Sequence, residues 1–157
     1  MYKKLIIIIL LLLPLSHIYS QKDRYSLVKL DKELLLKLSK ENKEVVGEIQ
    51  NINVSKNPDI KIYPYYLLDF SGIIALDHSS LFTRFEFDPD KMNISISQLN
   101  DLNSKLHGSK IFYDTEIEKF VFNYTYALGT DKMTLNQIIT YFYRIKQELR
   151  LFQLLKK

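Results

Sequence analysis

Cysteine and tryptophan are both absent from this 157-residue chain, and glycine and proline occur only four times each. Without cysteine there is no disulfide framework, no thiolate nucleophile and no lipid anchor on an acylated N-terminal cysteine, so the fold must be held by its core alone. The four glycines, at 47, 72, 108 and 129, are too scattered to build a loop whose backbone amides cradle a phosphate. One-sided charge is lacking as well. The formal net charge is +4, and if Lys3 and Lys4 are removed with an N-terminal segment, 20 basic residues face 18 acidic ones. Lysines and acids alternate along most of the chain, which excludes the broad positive stripe of a nucleic-acid binder. What remains is 46% hydrophobic, 25% charged and 13% aromatic, the last all Phe and Tyr. That composition belongs to a folded domain, and the length suits one core.

Residues 1–20 have the layout of a secretory signal peptide: Lys3 and Lys4, an apolar run from Leu5 to Leu13, Pro14, and a polar exit at His17-Ile18-Tyr19-Ser20. The apolar run is shorter than the roughly 20 residues a membrane span needs. Cleavage near Ser20 leaves residues 21–157 as a single domain, periplasmic or secreted, with no membrane span. The triplets Asn53-Val54-Ser55, Asn93-Ile94-Ser95 and Asn123-Tyr124-Thr125 are formal glycosylation acceptors. In an asparagine-rich chain with a bacterial type of export signal they read as chance.

The mature chain alternates between two periods. Leu27, Leu30, Leu34, Leu35 and Leu38 form one face of a first helix spanning Leu27 to Glu44. β-Branched and aromatic residues follow in Ile49 to Tyr63, with an edge strand or break expected at Pro58 and at Pro64. Tyr65 to Leu76 reads as a strand region with a turn or bulge at Ser71-Gly72. Leu81 to Asp88 reads as another, with Leu81, Thr83, Phe85 and Phe87 on one face and Phe82, Arg84, Glu86 and Asp88 on a mostly solvated one. A middle helix runs from Ser95 or Ser97 to His107, capped by Gly108. Lys110 to Asp114 and Lys119 to Leu128 form a hairpin, and Gly129-Thr130-Asp131 turns the chain. A last helix opens at Thr134, where Thr134 and Gln137 have capping-box spacing, and carries an apolar stripe from Leu135 to Phe152. The order α-β-β-β-α-β-β-α predicts an α+β fold, an antiparallel sheet with segregated helices.

This order resembles the YbjN-like bacterial family, described as sensory-transduction regulators and sharing the fold of type III secretion chaperones. The resemblance is carried by Leu99-Asn100-Asp101-Leu102-Asn103, Gly108 to Asp114, the strand Phe120 to Leu128 and the helix opened by Thr134, with Asn103 and Asp114 matching the family's Asn and acidic turn. It implies a secretion-chaperone-like fold and a non-catalytic interaction module, with a homodimer among its options and no cofactor.

No catalytic set emerges. Asp77-His78-Ser79-Ser80 contains the residue types of a hydrolase triad, but adjacent residues in a turn diverge, and the segment reads as a polar loop. His78 and His107 are the histidines left after export, with no spacing that makes a metal site. Asp88-Pro89-Asp90 reads as a turn, and the basic bias at Arg144, Lys146, Arg150, Lys156 and Lys157 as complementing the last helix dipole. Two aromatic groups are left as binding candidates. Tyr63, Tyr65 and Tyr66, beside Pro64, read as an exposed recognition patch, while Phe120, Phe122, Tyr124 and Tyr126 either pack under the last helix or line a cavity for an apolar ligand. The expected function is thus protein or peptide binding through a sheet face, an edge strand or a dimer surface. A carrier of a small lipid-like molecule is the alternative.

Overall fold

The computed structural model describes residues 25–77, 80–127 and 132–155. The export segment, His78 and Ser79, the turn at Gly129-Thr130-Asp131, and Lys156 and Lys157 lie outside the described residues. In chain order the elements are β1 (Leu27–Lys29), α1 (Lys32–Glu41), α2 (Lys43–Val46), β2 (Glu48–Ile49), β3 (Lys61–Leu67), β4 (Phe70–Leu76), β5 (Ser80–Phe87), α3 (Leu99–Asn103), β6 (Ser109–Asp114), β7 (Lys119–Ala127), β8 (Lys132–Thr134) and α4 (Leu135–Gln153). Two 3₁₀ turns, Pro89–Lys91 and Ile96–Gln98, precede α3. The fold is α+β. Six antiparallel strands run in the order β2-β3-β4-β5-β7-β6, and β1 pairs with β8 in a separate ribbon.

Period-2 alternation sends Tyr63, Tyr65 and Leu67 of β3, Ile74 and Leu76 of β4, Leu81, Thr83, Phe85 and Phe87 of β5, and Phe120, Phe122 and Tyr124 of β7 to one buried face. Helix α4 lies across that face. Its Phe142 meets Tyr65 edge-on with ring centroids 6.1 Å apart, and Phe152 stacks on Phe87 at 5.4 Å and meets Phe122 edge-on at 5.4 Å. Each such ring stabilises the fold by roughly 1.5–3 kcal/mol through burial, with a further fraction from ring geometry. The start of α4 is set by the capping box expected from the sequence: the Gln137 amide donates to Thr134 Oγ1 at 3.2 Å, and the Thr134 amide donates to Gln137 Oε1 at 2.8 Å.

Polar pins locate the layers within this apolar core. The buried Tyr141 hydroxyl is hydrogen-bonded to Thr83. The Tyr65 hydroxyl donates to the Val46 carbonyl at 2.6 Å, and the Ser39 hydroxyl donates to the Gly47 carbonyl at 2.8 Å while accepting from the Ile49 amide at 2.9 Å. Glu148 is buried on α4, where one carboxylate oxygen accepts from the His107 amide at 2.8 Å and the other from the Ser109 hydroxyl. A buried carboxylate is tolerable when its oxygens are hydrogen-bonded in this way.

Several expected boundaries are corrected. Leu27 to Lys29 is strand, not the first turn of a helix, because Asp31 caps the helix: its side chain accepts from the Leu34 amide at 3.0 Å. The turn between β3 and β4 is Leu68-Asp69, with Leu68 at φ 58°, and Ser71-Gly72 sits inside β4. Pro64 does not break β3. Its carbonyl accepts from the Gln50 amide at 2.9 Å, so its nitrogen also points toward that edge and the ladder to β4 loses no donor. The middle helix is only Leu99–Asn103 entered through a 3₁₀ turn, and Gly108, at φ 121°, leads into β6 with Tyr124 against its Cα instead of capping the helix.

Candidate interaction surface

The sheet has a second face that no helix among the described residues covers. The register places Pro64, Ile73, Arg84, Asn123 and Lys110 on one level across five strands. Tyr66 and Ser71 stand on the next level, continued on the other strands by Glu86, Val121 and Phe112. Ile62, Ala75, Phe82 and Thr125 stand on the level to the other side. An antiparallel sheet with one solvated face ordinarily alternates apolar inward and polar outward. Here Ile62, Pro64, Ile73, Ala75 and Phe82 are half-buried on the outward face, and Tyr66 and Phe112 are 41% and 39% exposed there.

The polar part of the face is a chain of ion pairs. Arg84 Nε donates to Glu86 at 3.0 Å, and its Nη2 lies 3.6 Å from Asp114. Lys119 is 3.7 Å from Glu86 and 3.9 Å from Asp88, which also pairs with Lys91 at 2.8 Å. The hydrogen bond from Lys91, and then its charge, lowers the carboxyl of Asp88, and Asp88 in turn raises the Lys91 ammonium. To reach Asp114 on β6 from β5, Arg84 must cross β7, and the outward residue there, Val121, is fully buried. Pairs this exposed contribute little stability one by one. Their effect is to fix the position of the guanidinium. Beside it in register, Asn123 Oδ1 is buried and has no hydrogen-bond partner. Ser71, Gly72, Ile73, Arg84, Glu86 and Lys119 line an open hollow of about 450 Å³ on this face.

The three tyrosines read as a patch are separated by the sheet. Tyr63 and Tyr65 are core residues, because alternation turns both inward, and burial raises the Tyr65 hydroxyl well above its ordinary range. Only Tyr66 reaches the outer face. Phe120, Phe122 and Tyr124 are packed beneath α4, with Tyr124 edge-on to Tyr141 at 5.1 Å. Asp77 caps a turn: its two carboxylate oxygens accept from the Ser80 amide at 2.6 Å and the Ser80 hydroxyl at 2.8 Å. His107 is exposed, and Asp114 belongs to the ion-pair chain. Asp88-Pro89-Asp90 enters a 3₁₀ turn. Among the described residues no group of His, Asp and Glu is arranged to hold a metal ion, and no helix is long and apolar enough to cross a membrane.

Ile73, Phe82, Phe112 and Asn123 were not singled out by sequence. The signal available was an aromatic on an otherwise polar strand face, Phe82 beside Arg84 and Glu86. Both lateral edges of the sheet carry a second device. At β6, Asn103 Nδ2 donates to the Ile111 carbonyl and Asn103 Oδ1 accepts from the Ile111 amide, each at 2.8 Å. At β3, Asn53 Oδ1 accepts from the Ile62 amide at 3.0 Å and the Val54 amide donates to the Ile62 carbonyl at 2.8 Å. These side chains occupy backbone groups that an added strand would use. Comparison with known proteins brings no relative to this arrangement: no family model, curated protein or solved structure matches the chain.

Proposed function

We propose that the chain is an exported, non-catalytic protein-binding module that engages its partner through the outer face of the sheet. One observation carries this reading: a face uncovered by the described helices on which Ile62, Pro64, Tyr66, Ile73, Ala75, Phe82 and Phe112 remain partly accessible. Apolar area of that kind, bordered by fixed charges, is the composition of a protein-recognition surface. Export rests on the signal-like residues 1–20, and the resemblance to YbjN-like and secretion-chaperone-like proteins points to the same class of role. A lipid-like carrier would need the β7 aromatics as cavity walls. They are instead packed ring against ring with α4, which leaves the interaction module as the better reading.

Photo-crosslinking tests this directly. A photoreactive side chain replaces Phe82 on the outer face or, as control, Arg144 on the exposed side of α4, in the chain exported by its native host. The expected result is a protein adduct from position 82 and none from 144, identified by mass spectrometry. A purified partner should then lose binding to Phe82→Glu. Adducts from 144 alone, or from neither position, would overturn the reading.

A further inference from the structure

We propose that the solvent side of α4 is a docking surface for an anionic lipid bilayer, on which the protein lies without crossing it. The inference uses a different surface from the outer face of the sheet and does not depend on that reading.

Helix α4 is one-sided in charge. Its single acid, Glu148, is turned into the core, while Arg144 and Arg150 are exposed and Lys146 is half-buried. Complementing the helix dipole accounts for Arg150 alone, because that effect is confined to the last turn and the other two stand further back. Neither arginine forms an ion pair among the described residues. Lys146 donates to the Glu44 carbonyl, and it precedes Arg150 by one turn, a like-charge spacing that destabilises a helix. Burial first, and then the charge of Arg150, lowers the Lys146 ammonium, with Glu44 acting in the opposite sense. Phosphate headgroups offset a repulsion that the chain itself leaves standing.

Apolar side chains stand between these cations. With about 3.6 residues per turn, Leu151 and Leu154 fall between Arg144 on one flank and Arg150 and Lys146 on the other. Leu154 is 82% exposed and Leu151 38%, and the half-buried Tyr143 lies on the same strip. Leucines in the middle with long basic side chains at both flanks is the lateral order of a helix lying at a membrane interface. From Arg144 to Leu154 the axis advances about 15 Å, so these groups meet one plane together. The exposure of Leu154 leaves little surrounding surface for a protein partner to grip, whereas a fluid bilayer closes around a protruding leucine. Because α4 covers the inner face of the sheet, its solvent side looks away from the outer face. A docked molecule therefore keeps the outer face turned to water.

The expected strength is modest. Each basic side chain near an anionic surface is worth about fivefold in affinity, and burial of an exposed leucine about tenfold. The association is reversible and weakened by salt.

Vesicle co-sedimentation tests the surface. Residues 21–157, which contain the whole described fold, are mixed with vesicles of phosphatidylcholine alone or of phosphatidylcholine with phosphatidylglycerol. Binding is expected to the anionic vesicles only, falling steeply as salt is raised. Arg144→Gln together with Arg150→Gln should weaken it about 25-fold, and Leu154→Ser about tenfold. Lys56→Gln together with Lys110→Gln removes the same charge from exposed positions off α4 and should leave binding as in the wild type. The substituted side chains are all exposed, so thermal unfolding should match the wild type. No binding to anionic vesicles, or an equal loss from the two pairs of substitutions, overturns the proposal, the latter because net charge alone then explains the attraction. A protein adduct at position 144 in the crosslinking experiment also overturns it, since the face then belongs to a protein partner.

Discussion

Asn103 offers the sharpest test of how this fold is built. Its amide does the work of a neighbouring strand at one residue, giving and taking a hydrogen bond with the Ile111 backbone at 2.8 Å each. Two neutral hydrogen bonds of about 0.5–1.5 kcal/mol each put the cost of Asn103→Ala at about 1–3 kcal/mol. Water can reach the partly buried groups once the side chain is gone, so the lower half of that range applies. For a domain of this size the corresponding fall in Tm is roughly 3–8 °C.

Asn103→Asp separates a hydrogen-bonding role from a packing role, because the two side chains have nearly the same shape. At neutral pH the carboxylate still accepts from the Ile111 amide, but its second oxygen faces the Ile111 carbonyl with no proton between them. Asp should therefore be worse than Ala at pH 7. Protonation supplies the missing donor, so the introduced carboxyl titrates above the ordinary Asp value of about 3.9 in the folded state. A group with a raised folded pKa stabilises fully below its unfolded value and loses that contribution as pH rises through the folded one. The deficit of Asn103→Asp should accordingly shrink as pH falls through the raised folded pKa toward about 3.9 and level off below it, while that of Asn103→Ala stays level throughout. Chemical denaturation across this pH range, with amide exchange at Ile111, reads both effects. An Asp variant as stable as the wild type at pH 7, or an unchanged Ile111 exchange rate in the Ala variant, would refute the reasoning.

Two further outcomes follow from the core. Burial raises the hydroxyls of Tyr65 and Tyr141 above their ordinary range; the native state therefore keeps protons that the unfolded chain releases near pH 10, and stability should fall by about 1.4 kcal/mol per pH unit for each, about 2.7 together. Phenolate absorbance should show these two groups appearing only with unfolding, and a smooth titration of every tyrosine in the folded protein would contradict their burial. Gly47 sits at φ 82°, ψ −165°, where an added Cβ would lie 2.4 Å from the Tyr66 carbonyl oxygen; Gly47→Ala should cost about 2–4 kcal/mol in equilibrium unfolding, and a neutral result would mean the corner between α2 and β2 is not built this way.

Local patterns were legible where they were long. The alternation of Lys119 to Ala127, the shared face of Leu81, Thr83, Phe85 and Phe87, and the Thr134 capping box each repeat a signal over enough residues to fix an element, and from them the α+β class follows. Short or non-local features were not. The ribbon of β1 and β8 joins residues more than a hundred positions apart with three residues on each strand. The Leu68-Asp69 turn uses a leucine at positive φ where glycine or asparagine would have announced it. Pro64 read as an edge strand or a break because a sequence does not say which side its nitrogen faces; the Gln50 bond places that side at the β2 edge, away from β4.

The same limit hid the site. Alternation sets Tyr63 and Tyr65 on one face and Tyr66 on the other but does not tell which face a helix will cover, so all three stayed candidates until α4 was laid over the first two. Phe82, Phe112 and Tyr66 come from three strands separated by long stretches of chain, and only the register makes them neighbours of one ion-pair chain. The edges sharpen the argument. With Asn53 holding the backbone of Ile62 and Asn103 holding that of Ile111, a partner that extends the sheet would have to displace two side chains that already complete hydrogen bonds there. A partner lying on the outer face displaces nothing but water and covers partly exposed apolar side chains. The balance between those two modes favours the face over the edge, and it is the reason the proposed contact is drawn there.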